Sequence, residues 1–234
     1  MIYVGIDDTD VLGARGTNQL ARSLIAALAG DFRCVRLLRH QLFDDPRVPC
    51  TSKNGSASIS LEPLAGVPLA DLAARCRAHM LADFIEGSDP GLCVVGNVPA
   101  AVTEFGLRSK IELVSQREAH QVARRCGLYL EGLGGTCDGV IGALAAVGLA
   151  ATGSDGRVVQ LGQWPDDLCG LQPVAALRRR GVAVCCRVSG RRFDDGLVDV
   201  GKRLRPNRRN GEDVLFVERA DDGSRQWLKG MKLP

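Results

Sequence analysis

Three aspartates near the N-terminus are the residues whose types and spacing best support chemistry. Asp7, Asp8 and Asp10 follow the apolar stretch Met1 to Val4, which predicts a short buried β-strand. Carboxylates this close repel one another when all are ionised, and a cation among them removes that repulsion. Mg²⁺ binds through one or two carboxylates and takes its other oxygens from water and phosphate. The spacing therefore favours a magnesium site at the end of this strand.

A loop ending in Gly16 separates these carboxylates from an amphipathic pattern that predicts a helix from Thr17 to Leu28. Backbone N–H groups at a helix N-terminus favour phosphate, so a metal, a phosphate and the Thr17 hydroxyl can meet here. Two interpretations of Thr17 stay open. It is either a phosphate ligand or phosphoryl acceptor, or simply the N-cap of the helix, with the aspartates in capped turns.

Polar residues before a strand predicted from Ser56 to Leu61 suit an anion-binding loop. The plainer interpretation is a hairpin turn, because Asn-Gly is a strong turn signal. The loop residues with the most suitable side chains for phosphate or nucleotide are Arg47, Thr51, Lys53 and Asn54.

A second glycine-rich loop, residues 132–139, leads into an apolar helix predicted from Val140 to Gly148. Its glycine spacing matches neither the dinucleotide-binding nor the Walker pattern, so the loop alone is a weak phosphate signal. Small residues on all sides of the helix predict that another backbone approaches it closely. The residues expected to shape a second wall of a nucleotide pocket are Gly134, Gly135, Thr136, Asp138 and Gly139.

The composition is that of an ordinary globular protein, with 45% hydrophobic and 24% charged residues among 234. The sequence contains no run of about eighteen apolar residues, so it predicts no membrane span. The N-terminus lacks a signal-peptide pattern. The nine cysteines include no Cys-x-x-Cys pair, which argues against a zinc ribbon, and their odd number argues against a disulfide framework. We therefore expect a reduced, cytoplasmic protein.

Positive charge is concentrated toward the C-terminus. From residue 171 onward the sequence has 15 Lys and Arg against 8 Asp and Glu, whereas the whole chain carries only +3. Such a region suggests an acidic partner, such as nucleic acid or a phosphorylated substrate, and a solvated β-surface is the plainer alternative. The cations grouped near a predicted exposed loop, residues 207–211, are Lys202, Arg203, Arg205, Arg208 and Arg209.

The predicted elements mix strands and helices, which indicates an α+β fold. The helices with the clearest apolar stripes are Thr17–Leu28, Pro68–Ile85 and Ser115–Cys126. Ser115 and Glu118 predict a capping box at the start of the last one. After Trp164 the pattern changes to short apolar pairs between Arg, Asp and Gly. We therefore predict an α/β core over residues 1–165 and a small basic β-rich region over 166–234.

Several stretches of the sequence resemble the archaeal tRNA-Ile agmatinylcytidine synthetases. The first is Gly5-Ile6-Asp7-Asp8-Thr9-Asp10, followed by a glycine-containing loop and Thr17. The last is the glycine-rich helix that runs from Asp138 to Gly148, and residues 48–55 and 89–92 are weaker matches between them. Together these stretches span the predicted α/β core.

That family joins agmatine to a cytidine of the tRNA anticodon with ATP and Mg²⁺, using a kinase-like module and a ferredoxin-like domain. The resemblance implies that Asp7, Asp8 and Asp10 handle metal and ATP, and that Thr17 matches the family's phosphorylated threonine. The family's members are longer and end with an OB-fold and a zinc ribbon that grip the tRNA. The loop before Thr17 also departs from the family, reading Gly13-Ala14-Arg15-Gly16.

The leading hypothesis is an ATP- and Mg²⁺-dependent phosphotransferase or synthetase that acts on a small or phosphorylated acceptor. In this hypothesis the catalytic residues are Thr17, Asp7 and Asp8. Asp10 binds the metal together with Asp7 and Asp8, and it also contacts the nucleotide. One alternative is a tRNA-modifying enzyme that binds RNA through the basic C-terminal region. Another is a nucleotide-binding regulator without catalysis, which ATP consumption with candidate acceptors would distinguish from both enzymes.

Overall fold

The structure is a computed structural model that describes residues 1–48, 50, 53–64, 66–219 and 227–231. Its helices are α1 (Thr17–Leu28), α2 (Leu69–Ala82), α3 (Ala100–Arg108), α4 (Gln116–Cys126), α5 (Gly139–Ala151) and α6 (Val174–Arg179). Its strands are β1 (Ile2–Asp7), β2 (Phe32–Gln41), β3 (Gly55–Pro63), β4 (Gly91–Val95), β5 (Tyr129–Gly132), β6 (Arg157–Leu161), β7 (Leu171–Pro173), β8 (Val182–Cys186), β9 (Arg192–Phe193), β10 (Leu197–Asp199), β11 (Asn207–Arg209), β12 (Glu212–Arg219) and β13 (Trp227–Gly230).

The first four strands and the first two helices form a βαββαβ unit. β1 pairs antiparallel with both β3 and β4, and β2 pairs antiparallel with β3. The resulting order in the sheet, β4-β1-β3-β2, is the ferredoxin-like arrangement. Together with the mixture of helices and strands, this topology confirms the predicted α+β fold.

The sheet continues beyond this unit on both sides. β5 pairs with β4 at one edge, and β6 pairs with β2 on the other side. From β6 the sheet passes to β11 through the pairing of Arg157 with Asn207, and then to β12, β13, β10 and β7. β8 pairs with β12 and with β9. The sheet therefore crosses the boundary predicted at residue 165, and a domain division there stays a prediction.

Helices cover both faces of the N-terminal half of the sheet. On one face, α1 and α2 share a buried cluster with the strands, to which Leu24 and Ile59 belong. On the opposite face, α3, α4 and α5 pack in a second cluster that includes Phe105 and Val147. The C-terminal strands and α6 have a buried cluster of their own around Leu177. The N-terminal half of the sheet is thus the central layer, and both helix groups pack against it.

The α5 helix lies unusually close to its neighbours because glycines occupy the points of contact. A Cβ at Gly5 on β1 would lie 2.0 Å from the carbonyl oxygen of Ala143. On the side of α3, a Cβ at Gly148 would lie 2.1 Å from the carbonyl oxygen of Val102. The predicted close backbone approach to this helix is therefore confirmed.

The strongly patterned helices occur where the sequence predicts them. α1 has the predicted bounds, and the capping box of α4, formed by Ser115 and Glu118, is present. α2 ends at Ala82, short of the predicted end at Ile85. The short helix α6 was not predicted, because six residues with few apolar positions give no clear periodicity.

Two loop predictions differ from the structure in part. Asn54-Gly55 is not a two-residue turn, since β2 and β3 are joined by the long loop 42–54 and Gly55 opens β3 in register with Gln41. In residues 207–211 only Asn210 and Gly211 form an exposed turn, between β11 and β12. Asn207 is fully buried and pairs with strands on both sides. At Asn54-Gly55 tertiary pairing overrides a local turn signal, whereas at Asn210-Gly211 the turn signal is realised.

The described residues contain no helix with the length and apolar character needed to cross a membrane. All nine cysteines are free thiols in the structure.

Candidate functional site

The aspartates lie where β1 ends and the chain leaves the sheet. β1 extends past its predicted end at Val4 to Asp7, because Gly5 and Ile6 remain paired with β3 and β4. Asp8 then adopts a left-handed backbone conformation with a φ of 51°. A non-glycine residue pays roughly 1–3 kcal/mol for such a conformation, and strain of this kind clusters at functional sites.

The Asp7 carboxylate packs against the first turn of α5. A Cβ at Gly142 would lie 1.7 Å from Asp7 Oδ2, so a side chain at position 142 would displace the carboxylate. The N-terminal end of a helix carries partial positive charge, which favours a carboxylate at this place.

Burial and mutual repulsion bring two of the aspartates close to protonation at neutral pH. Burial is the main cause that raises the pKa of Asp7 to about 7, and the charges of Asp8 and Asp10 raise it further. Burial also raises the pKa of Asp8 to about 6, with added repulsion from Asp89, Asp10 and Asp138. A cation bound among these groups would stabilise their ionised forms.

The metal site predicted from all three aspartates is not formed as a three-ligand cluster. Across the described ranges, no three His, Cys, Asp or Glu side chains are grouped closely enough to hold one metal ion. The joint role of Asp7, Asp8 and Asp10 at one metal ion therefore stays a prediction, since the described residues alone form no such cluster. Mg²⁺ needs only one or two carboxylates when phosphate and water supply the rest, so the donors still fit a phosphate-bound Mg²⁺.

Thr17 is the first residue of α1 but not its N-cap. Gly16 occupies the N-cap position, and no side chain caps the helix. The buried Thr9 hydroxyl donates to Thr17 Oγ1 at 3.2 Å, so Thr17 accepts this hydrogen bond and its own proton remains to be donated. The N-cap interpretation is therefore wrong, and the uncapped helix N-terminus suits an anion.

These residues line a cavity of about 700 Å³, a size typical of ligand pockets. Its walls are the end of β1, the first residues of α1, the loop 42–54, the segment after α3 and the first turn of α5. The predicted site residues that line it are Asp7, Asp8, Asp10, Gly16, Thr17, Arg47, Lys53, Asn54 and Asp138. Thr51 lies outside the described residues.

Residues of the loop 42–54 differ in how available they are to a ligand. The Asn54 side chain donates to the carbonyl oxygen of Phe43 at 2.8 Å, so it closes the loop. Arg47 forms an ion pair with Asp45 at 2.7 Å. Lys53 is exposed and has no carboxylate partner in the part of the chain that the structure describes. Lys53 is therefore the most available cation of this loop.

Most of the second glycine-rich loop lies outside the cavity wall. The predicted residues that do not line the cavity are Gly134, Gly135, Thr136 and Gly139. The backbone N–H of Thr136 donates to the Asp89 carboxylate, and that of Gly139 donates to the Asp89 carbonyl at 3.1 Å. A Cβ at Gly135 would lie 1.6 Å from Asp89 Oδ1. The loop thus binds a carboxylate of its own chain, and a nucleotide-binding role for these four residues stays a prediction.

Two buried polar atoms in the cavity wall lack a hydrogen-bond partner among the described residues. They are Oδ1 of Asn18 and Oγ of Ser56, and both residues line the cavity. Buried polar atoms in native proteins are nearly all satisfied by protein, water or ligand. These two atoms therefore mark positions that a bound molecule can complete.

Several polar residues of the cavity wall were not among the predicted site residues, and they include Asn18, Arg39, Ser56 and Asp89. Arg39 lies within β2, and Ser56 lies at the start of β3. Each is an isolated polar residue in or beside a predicted element. A charged residue inside a strand pattern is the one signal that could have identified Arg39, but its direction depends on the sheet register.

Comparisons with protein-family models and with curated proteins find no match to the sequence. Comparison with solved structures finds the same fold in apo TiaS, the tRNAIle2 agmatidine synthetase, with a TM-score of 0.54 and 22% identity over 63% of this chain and 35% of that chain. A tRNA fluorescent labeling enzyme gives a TM-score of 0.54 and 23% identity with the same coverage. The TiaS–tRNA(Ile2)–ATP complex gives 0.51 and 24%, over 63% of this chain and 36% of that one.

At this level of identity the likeness establishes the fold. It confirms, as a shared fold, the resemblance to the agmatinylcytidine synthetases that the sequence predicts. The match covers about a third of the length of these proteins, so the likeness belongs to one part of them.

Proposed function

We propose that the chain is an ATP- and Mg²⁺-dependent phosphotransferase or synthetase whose acceptor binds beside the nucleotide in the 700 Å³ cavity. The observation that carries the proposal is the meeting of Asp7 and Asp8 with the uncapped N-terminus of α1 and the cations Arg39 and Lys53. The fold shared with part of a protein that forms an ATP complex supports it.

Each residue has a distinct task in this proposal. Asp7 and Asp8 would hold Mg²⁺, which when bound neutralises charge on the transferred phosphate. The backbone N–H groups at the start of α1 would face the phosphates, with Lys53 as an added cation. The Thr17 hydroxyl would donate to a phosphate oxygen or accept the phosphoryl group. The acceptor is proposed to be small or phosphorylated.

The substitution Asp8→Asn tests the proposal. Asparagine keeps the size of the side chain and tolerates the left-handed backbone, so apo stability should change little. Because the carboxylate is lost, calorimetric titration should give Mg-ATP binding weaker by about tenfold or more. Asp195→Asn, at an exposed position away from the cavity, is the matched control and should bind as the parent does. Parental affinity in Asp8→Asn would remove Asp8 from the site, and binding without turnover on any acceptor would favour a regulator.

A second candidate, a tRNA-modifying enzyme, is favoured by one feature of the C-terminal region. The guanidinium of Arg180 lies 5.3 Å from the centre of the half-exposed ring of Trp164. Exposed aromatic rings beside arginines are stacking platforms for single-stranded RNA. Against it, Arg203 and Arg205 both form ion pairs with Asp166, which lowers the available charge.

We therefore expect bulk tRNA to bind weakly at about 150 mM salt. Specific nucleic-acid binders reach dissociation constants of about 10⁻⁸ M or tighter. A fluorescence titration that gives nanomolar affinity would favour the second candidate, and Trp164→Ala should then weaken it.

A further inference from the structure

Two arginines face each other on neighbouring strands beside the cavity. Arg39 on β2 and Arg157 on β6 are direct partners in the antiparallel register. Side chains of directly opposed residues lie on the same face of a sheet, and like charges in such a pair are destabilising. The pair therefore needs a compensating feature.

No carboxylate of the described residues compensates them within ion-pair distance. The side chain of Arg39 makes one long hydrogen bond, from Nη1 to Gln41 Oε1 at 3.3 Å. Arg157 makes no side-chain hydrogen bond to the described residues, and its Nε is buried without a partner. The other two arginines of β2 are paired, Arg33 with Glu62 and Arg36 with Asp213 at 2.7 Å.

Desolvation acts on both guanidiniums. Burial is the main cause that lowers the pKa of Arg39, and the more distant Asp7 only partly offsets it. Burial also lowers the pKa of Arg157, and the charges of Arg39 and Arg205 lower it further. Arginine stays protonated in proteins, so two uncompensated positive charges lie side by side.

The pair is connected to the cavity through Arg39. Arg39 lines the cavity together with Asn18 and Gly55. A Cβ at Gly55 would lie 2.5 Å from Arg39 Nη2, so the guanidinium lies directly against the backbone of β3. A side chain at position 55 would displace the guanidinium.

We propose that Arg39 and Arg157 form a subsite for a phosphate dianion, with Arg39 in the cavity wall and Arg157 beside it on β6. Two guanidiniums offer paired donors in the geometry that phosphate accepts, and a dianion balances two charges. This inference rests on the proposed function and adds to it a specificity for a phosphate group. The group is carried either by the nucleotide or by a phosphorylated acceptor.

The test compares Arg157→Gln with Arg33→Gln, which removes the same charge from the far, exposed end of β2. Inorganic phosphate is titrated without Mg²⁺ by calorimetry and by thermal shift. We expect Arg157→Gln to bind phosphate at least about tenfold more weakly than the parent, and Arg33→Gln to match the parent. The apo melting temperature of Arg157→Gln should be equal to or above that of the parent, because repulsion is relieved.

Equal phosphate affinity in Arg157→Gln and the parent, or no phosphate binding by the parent, would overturn the inference. If Arg157→Gln does not fold, Arg157→Lys keeps the charge without the planar fork and should still weaken phosphate binding. Mg-ATP identifies the source of the phosphate: an equal loss for Mg-ATP assigns the subsite to the nucleotide, and a loss for phosphate alone assigns it to the acceptor. Phosphate binding in a parent protein that fails to bind Mg-ATP would reject the proposed function and keep the subsite.

Discussion

At the scale of single residues, the cavity joins carboxylates that are held near protonation to a hydroxyl with a proton to donate. Asp7 and Asp8 owe their raised pKa values first to burial and then to neighbouring carboxylates. Thr17 accepts from Thr9 and caps nothing. The chemistry of the site therefore depends on what a ligand supplies, namely positive charge for the aspartates and an acceptor for Thr17.

The substitutions Thr17→Ser and Thr17→Val separate a chemical role of the hydroxyl from a structural one. Both proteins should fold, because Thr17 is not the N-cap of α1. The valine variant should lose about 1 kcal/mol, since the Thr9 hydroxyl loses its acceptor. Serine should retain ATP turnover per folded molecule and valine should lose it. Unchanged turnover in Thr17→Val would remove Thr17 from the site.

The raised pKa of Asp7 predicts how the stability of the apo protein depends on pH. The folded-state pKa is about 7, well above the usual value of 3.8, so protonated Asp7 stabilises the folded state relative to the unfolded state. Its contribution is present below about pH 4 and is lost as the pH rises toward 7. We expect urea unfolding without Mg²⁺ to show parental stability falling between pH 5 and 7.5, and Asp7→Asn to reduce that fall.

Asp45 provides the control for this measurement. Its hydrogen bonds with Arg47 lower its pKa to about 2, so its titration lies outside the window. Asp45→Asn should therefore follow the parental pH profile. A parental profile that is flat between pH 5 and 7.5 would show that Asp7 is ionised in the apo protein.

At the scale of elements, α5 positions the site because it lies in close backbone contact with β1 and α3. The glycine at position 142 admits the Asp7 carboxylate, and Gly5 and Gly148 admit the neighbouring backbones. Large side chains at these positions would move the helix away from the sheet and so move the wall of the cavity.

Gly148→Ala should therefore destabilise the protein although alanine favours helices. The new Cβ would lie 2.1 Å from the carbonyl oxygen of Val102. Overpacking in a closed core costs roughly 1–3 kcal/mol, against a helix-propensity gain of about 1 kcal/mol. Thermal unfolding should show a lowered melting temperature. Gly30→Ala, where a Cβ meets nothing within 4 Å, should show no loss, and a neutral Gly148→Ala would mean that α3 and α5 separate easily.

At the scale of the whole molecule, a buried ion-pair group joins the N-terminal sheet to the C-terminal strands. Asp213 on β12 pairs with Arg36 on β2 at 2.7 Å and with Arg208 on β11 at 3.3 Å. Its side chain is 7% exposed. The carboxylate thus connects residues far apart in the sequence.

Asp213→Ala should weaken this connection strongly. Removing one partner of a buried ion pair costs roughly 3–5 kcal/mol, because the remaining charge stays buried and unpaired. Asp194→Ala removes an exposed pair with Arg178, whose aspartate is 81% exposed, and should cost no more than about 1 kcal/mol. Chemical denaturation of both variants measures the difference, and equal losses would contradict a joining role for Asp213.

The sequence determined the parts of this protein that depend on local order. Amphipathic periodicity predicts α1, α2 and α4. Closeness in sequence alone places Asp7, Asp8, Asp10 and Thr17 in the short segment from the end of β1 to the start of α1. Small residues in α5 also predict its close contacts, because only glycine and alanine leave room for another backbone.

Only the tertiary structure decided which distant residues complete the cavity and which glycines serve it. Arg39 and Ser56 enter the wall because the register of β2 and β3 places them there, and a strand pattern does not fix its own register. The loop 132–139 has the residue types of a phosphate loop, yet its N–H groups bind Asp89, which is distant in sequence. Backbone N–H groups accept any nearby anion, so the choice between phosphate and carboxylate depends on which one the fold brings close.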